Sequence, residues 1–285
     1  MVYLIIAVFT SSAVSIIMRL GEKHVRNNFA MFTANYIVCA SIAAAFMLTS
    51  GKQIGPAENG LPFAVGLGAL GGILYLSAFV LMKFNIGKNG VMLSSVFMKL
   101  GVIVPSLMAI VVFREMPTVL QIIGMVIAVA AIIIIYFDPN EKKNGSGSRT
   151  VFIYLLALLL FGGLVESLAN IYDKLGNADL KDLYMVCVFC SAAVVPAIIV
   201  IVKHRPICWQ DIAFGILIGI PNYFSTRFLL HALESVPAVV TYPVYNIGAI
   251  ILIGIAGILL FKEKASGRKY IGFAMIIVAL ILLNI

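Results

Sequence analysis

Phe113-Arg114-Glu115 and Phe261-Lys262-Glu263 each end a long apolar stretch of the chain, and the two segments lie 148 residues apart. Each is followed at the same spacing by a glycine in the next apolar stretch, Gly124 in one case and Gly272 in the other. Apolar coincidences are common in such a chain, but charged residues and glycines at one common offset are much rarer. The two segments therefore predict a duplicated unit.

The same offset continues without a gap through the flanking sequence. It relates Gly71 to Gly219, Tyr75 to Tyr223, Ser77 to Ser225, Leu81 to Leu229, Val96 to Val244 and Ile123 to Ile271. The longest polar stretch, Asp138–Thr150, falls between the copies and is rich in Asn, Gly and Ser. We expect a first unit over residues 1–137, a flexible linker over 138–150 and a second unit over 151–285.

The composition indicates that lipid is the main solvent of this chain. Of the 285 residues, 62% are hydrophobic and 11% are charged, with a mean hydropathy of +1.09. Apolar runs of roughly 20 residues, long enough to cross a bilayer core, recur along the whole chain. They predict ten helices: Val2–Leu20, Phe29–Thr49, Leu61–Phe84, Val91–Phe113, Val119–Phe137, Val151–Tyr172, Leu183–Val202, Trp209–Ala232, Ala238–Leu260 and Tyr270–Leu283. Because Met1–Ala13 has neither a basic start nor a cleavage site, we expect the first helix to be retained.

Each unit holds five predicted helices, and five is an odd number. Consecutive copies must therefore enter the membrane in opposite orientations, which is the inverted repeat that supports alternating access in transporters. The predicted fold is an all-α integral membrane protein, with ten transmembrane helices arranged as two inverted five-helix repeats around a central cavity.

These features resemble the drug/metabolite transporter superfamily, and specifically its EamA-type members with two five-helix repeats. The resemblance covers nearly the full length and is carried by the two Phe-basic-Glu segments, by the following Gln121-x-x-Gly124 and Lys269-x-x-Gly272, and by Pro243. The first unit departs from the last feature, with Ser95 at the matching position and a proline only at Pro105. The resemblance implies transport but does not indicate the substrate.

Polar residues at membrane depth are the candidates for the site, because an ionisable group there costs several kcal/mol unless it faces a cavity or a partner. Glu166 is the only carboxylate well inside a predicted helix, and Asn170 and Lys174 follow it on the same helical face. Lys99 lies about two turns inside the fourth helix.

The eighth helix carries the most polar membrane face, with Arg227 one turn after Tyr223. Its copy in the third helix has Tyr75 and Phe79 at these positions, so the two units differ where a binding site would need asymmetry. We expect a cavity lined by the first, third, fourth, sixth, eighth and ninth helices. The predicted substrate-binding residues are Tyr75, Lys99, Glu166, Asn170, Asn222, Tyr223, Arg227, Tyr242, Tyr245 and Asn246.

Two cations and one carboxylate would make the cavity mildly positive, which suits an anionic or zwitterionic, amino-acid-like metabolite. Arg227 would hold a carboxylate, and Glu166 would exchange a proton as substrate leaves, coupling export to the proton gradient. One alternative cargo is an organic cation or drug, with its export coupled to protonation of Glu166. A structural alternative is an internal ion pair of Glu166 with Arg227 or Lys99.

Other classes of function are less well supported. The chain has no H-x-x-x-H, paired aspartates or Ser-His pair for an enzyme, so we expect no enzymatic activity, cofactor or metal. A membrane subunit without transport activity stays open. Gly66–Gly71 matches G-x-G-x-x-G inside an apolar helix, where close helix packing explains it better than a nucleotide. We expect Glu115 and Glu263 to cap helices.

The net charge of +8 is scattered over short loops, so it favours topology over nucleic-acid binding. Apart from Lys99 and Arg227, the odd-numbered loops hold all Lys and Arg except Lys52, Arg114, Lys174 and Lys181. This bias places the odd loops in the cytoplasm and both termini outside, whereas the family resemblance favours termini inside. We expect a multi-pass protein of a prokaryotic cell membrane, monomeric or homodimeric, whose partners are the bilayer, a small substrate and protons.

Overall fold

The computed structural model describes residues 2–49, 59–111, 118–136, 146–204, 206–236, 238–263 and 266–283, and these residues contain helices and no strand. The α-helices are α1 (Val2–Leu20), α2 (Asn28–Thr49), α3 (Leu61–Lys99), α4 (Ile103–Val111), α5 (Val119–Tyr136), α6 (Ser146–Leu175), α7 (Lys181–Lys203), α8 (Trp209–Ser235), α9 (Ala238–Leu259) and α10 (Gly267–Leu283). Short 3₁₀ turns precede α2, α4 and α7. The prediction of an all-α protein is confirmed.

Six segments within the described residues are long and apolar enough to cross a membrane: Val2–Lys23, Asn28–Thr49, Leu61–Pro105, Phe152–Tyr172, Ala178–Lys203 and Trp209–Leu229. Three shorter apolar helices accompany them, Val119–Ile134, Val244–Leu259 and Tyr270–Leu283. Many large apolar side chains lie on the outside of the bundle, as hydrocarbon contact requires.

The largest difference from the predicted helices lies in α3, which joins the predicted third helix to the start of the fourth. Its only non-helical residue is Gly90, with φ 81° and ψ 169°. Tyr75 and Lys99 line one cavity although an unbroken helix would separate them by about 36 Å. The chain therefore turns back at Gly90, and α3 has a first arm (residues 61–89) and a second arm (residues 91–99).

Other boundaries differ because helices extend past their apolar cores. The last residues of the predicted linker, 146–150, form the start of α6, while residues 137–145 lie outside the described part of the chain. The predicted fourth helix is interrupted by a 3₁₀ turn over Leu100–Val102 before it continues as α4.

Helix contacts follow the order of the two units. Helix α1 packs on α8 and α6 packs on α3, while α2 packs on α8 and α7 packs on α3. In terms of the two predicted units, α1 on α8 corresponds to α6 on α3, and α2 on α8 corresponds to α7 on α3, with the first and second units interchanged. Helix α2 also packs on α7, and α5 packs on α10. Each of these two contacts joins a helix to the equivalent helix of the other predicted unit.

Small residues bring the helices of different units close together. A Cβ added at Gly68 would lie 2.7 Å from the Cys187 side chain, and one at Gly72 would meet the backbone of α7. In α8, Gly215 and Gly219 lie equally close to α2. These contacts confirm close helix packing at Gly68 and Gly72 of the third predicted helix, but not at Gly66, where an added Cβ would have nothing within 4 Å.

Candidate functional site

A cavity of about 210 Å³ lies where α1, both arms of α3, α6, α8 and α9 meet. These are the six helices that the polar residues of the sequence predict. Most of the lining is apolar, from side chains such as Met18, Phe79 and Met98. The polar lining residues are Ser11, Ser15, Tyr75, Ser95, Lys99, Glu166, Asn222, Ser225, Thr226 and Tyr245.

Lys99 is held by two neighbours on opposite helices. Its ammonium donates a hydrogen bond to the Ser11 hydroxyl of α1 at 3.4 Å. The same nitrogen lies 4.0 Å from the centre of the Tyr245 ring of α9, a cation–π contact. Lys99 is thereby oriented, but neither neighbour neutralises its charge.

Glu166 enters the cavity from α6, next to Gly162 and Val165. Lys99 is the charge that attracts it. Among the side chains that the structure describes, however, Glu166 has neither an ion pair nor a hydrogen bond. The cavity thus contains one cation and one anion that are not paired with each other at contact distance.

Tyr75 and Asn222 form the third polar part of the wall. The Tyr75 hydroxyl donates to Asn222 Oδ1 at 2.7 Å, and Asn222 Nδ2 donates to Asn35 Oδ1 at 3.3 Å. Cys39, one turn after Asn35, donates to the Gly219 carbonyl at 3.3 Å. The second row of this network comes from α2. Sequence patterns did not reveal it, because Asn35 and Cys39 are isolated in an apolar helix.

Arg227 lies outside the residues that line the cavity. Its Nη1 donates to the Tyr223 hydroxyl at 3.1 Å and lies 3.8 Å from Asp182 Oδ1 of α7. Its guanidinium carbon lies 3.7 Å from the centre of the Phe46 ring of α2. Arg227 and Tyr223 therefore join α8 to α2 and α7.

Three other predicted site residues have different positions. Asn246 is 1% exposed, and its Oδ1 has no hydrogen-bond partner in the described part of the chain. Asn170 is partly buried on α6 and is not among the lining residues. The side chain of Tyr242 lies outside those that the structure describes. Five predicted residues thus share the cavity: Tyr75, Lys99, Glu166, Asn222 and Tyr245.

Comparison with known proteins identifies a shared fold but does not indicate an activity. No protein-family model matches the chain. An uncharacterised protein of Haemophilus influenzae is 26% identical over 277 residues, which are 94% of this chain and 92% of that protein. One crystal structure superposes with a TM-score of 0.65 and 12% identity, covering 99% of this chain and 95% of the other. This similarity shows a fold shared over the full length.

Proposed function

We propose that this protein is a secondary-active transporter of a small zwitterionic, amino-acid-like metabolite, working by alternating access and, from the resemblance, exporting its substrate. The observation that carries the proposal is that Lys99 and Glu166 line one cavity without forming an ion pair. Unpaired opposite charges at membrane depth are costly unless a ligand or a proton neutralises them. A zwitterion would present a carboxylate to Lys99 and an ammonium group to Glu166.

The duplicated architecture supports transport over a static membrane subunit. The offset of 148 residues and the exchange of roles between helix contacts are what an inverted repeat would produce. With the first arm of α3 counted as one crossing, and its second arm and α4 together as the next, we infer ten transmembrane helices in two five-helix units. We propose on this basis that the chain is related to the EamA-type members of the drug/metabolite transporter superfamily.

The size and lining of the cavity favour a small metabolite. Its 210 Å³ lies below the roughly 300–1,000 Å³ of sites for drug-sized ligands. Apolar side chains such as Val14, Met82 and Ile253 would contact the side chain of the substrate. Tyr75 and Asn222, fixed by their hydrogen bond, would orient its polar end.

An uptake and counterflow screen in proteoliposomes tests the proposal, with zwitterionic amino acids competing against dicarboxylates and quaternary amines. We expect Lys99→Gln and Glu166→Gln each to weaken zwitterion binding about tenfold or more, since each removes a charge-assisted contact worth about 1.5–3 kcal/mol. The control is Lys203→Gln, which removes an exposed charge at the end of α7. Unchanged affinity in both cavity variants would refute the proposal.

The neighbours of Lys99 favour a second kind of cargo, an organic cation. Lys99 already has the Tyr245 ring and the Ser11 hydroxyl as neighbours, whereas Glu166 has none of these. If Lys99 is only structural, Glu166 would be the sole charge offered to a ligand. Competition by quaternary amines but not by amino acids, lost only in Glu166→Gln, would select this alternative.

Protonation of Glu166 is the coupling step that we propose for either cargo. When substrate leaves, a proton would neutralise the carboxylate inside the cavity, so transport should depend on pH. Glu166→Gln should therefore lose uptake driven by a pH gradient, while substrate exchange at equilibrium persists at substrate concentrations high enough to offset its weakened binding. If Glu166→Gln keeps gradient-driven transport with an unchanged pH profile, Glu166 does not couple it.

A further inference from the structure

The break in α3 leaves polar backbone groups at two helix ends inside the bundle, where they need partners. At the start of the second arm, the Glu263 carboxylate accepts the N–H groups of Val91 at 2.8 Å and Met92 at 3.1 Å. At the end of the first arm, Arg19 Nη1 donates to the Ile86 carbonyl at 3.0 Å. The two ends are therefore capped by opposite charges from elsewhere in the chain.

These two capping residues also bind each other. Arg19 Nε lies 3.4 Å from Glu263 Oε1, and the Arg19 guanidinium lies 5.8 Å from the centre of the Phe261 ring. Arg19 belongs to the end of α1, whereas Glu263 follows α9. The pair thus connects α1, both arms of α3 and the end of α9.

The pair lies next to the cavity. Met18 and Met82 line the cavity, and each is followed directly in sequence by a basic residue of this region, Arg19 or Lys83. Lys83 Nζ donates to the Met18 carbonyl at 3.3 Å and lies 3.5 Å from Glu22 Oε1. Met18 and Met82 are at most 2% exposed, so packed side chains separate the cavity from this end of the bundle.

We infer that Arg19 and Glu263 form a latch, and that the cavity opens at the Arg19 end only when this pair separates. The inference rests on the proposed transport function, because alternating access requires each end to open in turn. Glu263 is fixed by two backbone hydrogen bonds. Arg19 has one hydrogen bond to a carbonyl, the ion pair and the more distant Phe261 ring, and it is the more exposed of the two, at 25% against 13%. Arg19 is therefore the part that moves.

The duplication shows that the latch is one-sided. At the offset of 148 residues, Ser167 of α6 stands where Arg19 stands in α1. The Ser167 hydroxyl donates to the Gly163 carbonyl of its own helix at 2.7 Å. No arginine is therefore available at the corresponding position of the other unit, and the two ends of the cavity are held by different interactions.

Cysteine accessibility tests the latch without any assumption about the substrate. The probe is Ser15→Cys, at a buried position that lines the cavity, labelled by a membrane-impermeant thiol reagent from the Arg19 end. The background replaces the cysteines that are not buried, Cys187, Cys190 and Cys208. We expect Arg19→Gln to raise the labelling rate about five- to thirtyfold, while Glu263 and its backbone bonds stay in place.

Two further variants make the result decisive. Lys23→Gln removes an exposed charge at the same end and should leave labelling unchanged. Arg19→Lys keeps the charge, but one ammonium group cannot reproduce the contacts of the guanidinium with both the Ile86 carbonyl and the Glu263 carboxylate. It should therefore raise labelling by a smaller factor. An unchanged rate in Arg19→Gln, or an equal rise in Lys23→Gln, would overturn the latch.

The latch and the transport proposal fail in different ways. If Lys99→Gln and Glu166→Gln leave transport intact while Arg19→Gln raises labelling, the binding site is wrong and the latch stands. If the cavity variants abolish transport and Arg19→Gln leaves labelling unchanged, the latch alone is wrong. Thermal unfolding of each variant in detergent confirms that the labelling reports on folded protein.

Discussion

Lys99 and Arg227 are both basic residues at membrane depth, but their neighbours give them different roles. Lys99 faces a cavity that also contains a carboxylate. The Arg227 guanidinium lies over the Phe46 ring, and its Nη1 contacts the Tyr223 hydroxyl and the Asp182 carboxylate. The Arg227 side chain is 23% exposed, and a guanidinium over an aromatic ring at a partly exposed site contributes about 0.5–1 kcal/mol. The contacts of Arg227 therefore favour a role in helix association, whereas Lys99 is the basic residue that the proposed substrate would contact.

Replacing Arg227 tests this division. We expect Arg227→Ala to lower the melting temperature of the purified protein, because Asp182 and Phe46 lose their shared partner. The apparent KM of the folded fraction should stay within about twofold, since no cavity contact is lost. A rise in KM of tenfold or more, with unchanged melting temperature, would place Arg227 in the binding site.

At the scale of elements, the contact between α3 and α7 depends on the absence of side chains at particular positions. Gly72 faces α7 so closely that an added Cβ would meet the Val188 carbonyl and the Ser191 hydroxyl. Gly66, in the same helix, has nothing within 4 Å of an added Cβ. Substitutions at Gly72 therefore test helix packing, whereas substitutions at Gly66 test helix propensity alone.

Alanine at these two positions should have opposite effects. Gly72→Ala should destabilise the protein by about 1–3 kcal/mol, because α7 must move to admit the methyl group. Gly66→Ala should be neutral or stabilising by up to about 1 kcal/mol, through its better helix propensity. Thermal or denaturant unfolding in detergent measures both, and equal destabilisation would show that α3 does not use Gly72 as a contact.

At the scale of the whole molecule, most Lys and Arg residues follow, in sequence, the helices that finish at one end of the bundle. This is the end where α1, the first arm of α3, α5, α7 and α9 finish, and it is also the end that the latch closes. By the positive-inside rule, we expect this end to face the cytoplasm. The latch would then close the cytoplasmic entrance.

Two cysteine probes test the orientation. In sequence, Asn144→Cys falls between α5 and α6, and Asn59→Cys falls between α2 and α3. In intact cells, we expect an impermeant thiol reagent to label Asn59→Cys and to spare Asn144→Cys. The opposite pattern would support the orientation with both termini inside that the family resemblance favours.

Sequence patterns predicted the parts of this protein that depend on local chemistry. Apolar runs located most of the helices, and isolated polar residues such as Lys99, Glu166 and Tyr245 identified the cavity wall. Sequence patterns could not show that Arg227 lies outside the cavity. The helical face on which a residue lies does not specify which side chains of other helices it contacts. The role of Asn35 was also invisible, since its partner Asn222 lies 187 positions away.

The capping of the α3 break has a consequence for how the protein is made. Val91 and Met92 are within the first unit, but the carboxylate that accepts their N–H groups belongs to Glu263, near the end of the chain. During synthesis, residues 1–137 leave the ribosome before Glu263, so we expect the N–H groups of Val91 and Met92 to lack this partner until the chain is nearly finished. We therefore expect the first predicted unit to need the second in order to complete its fold.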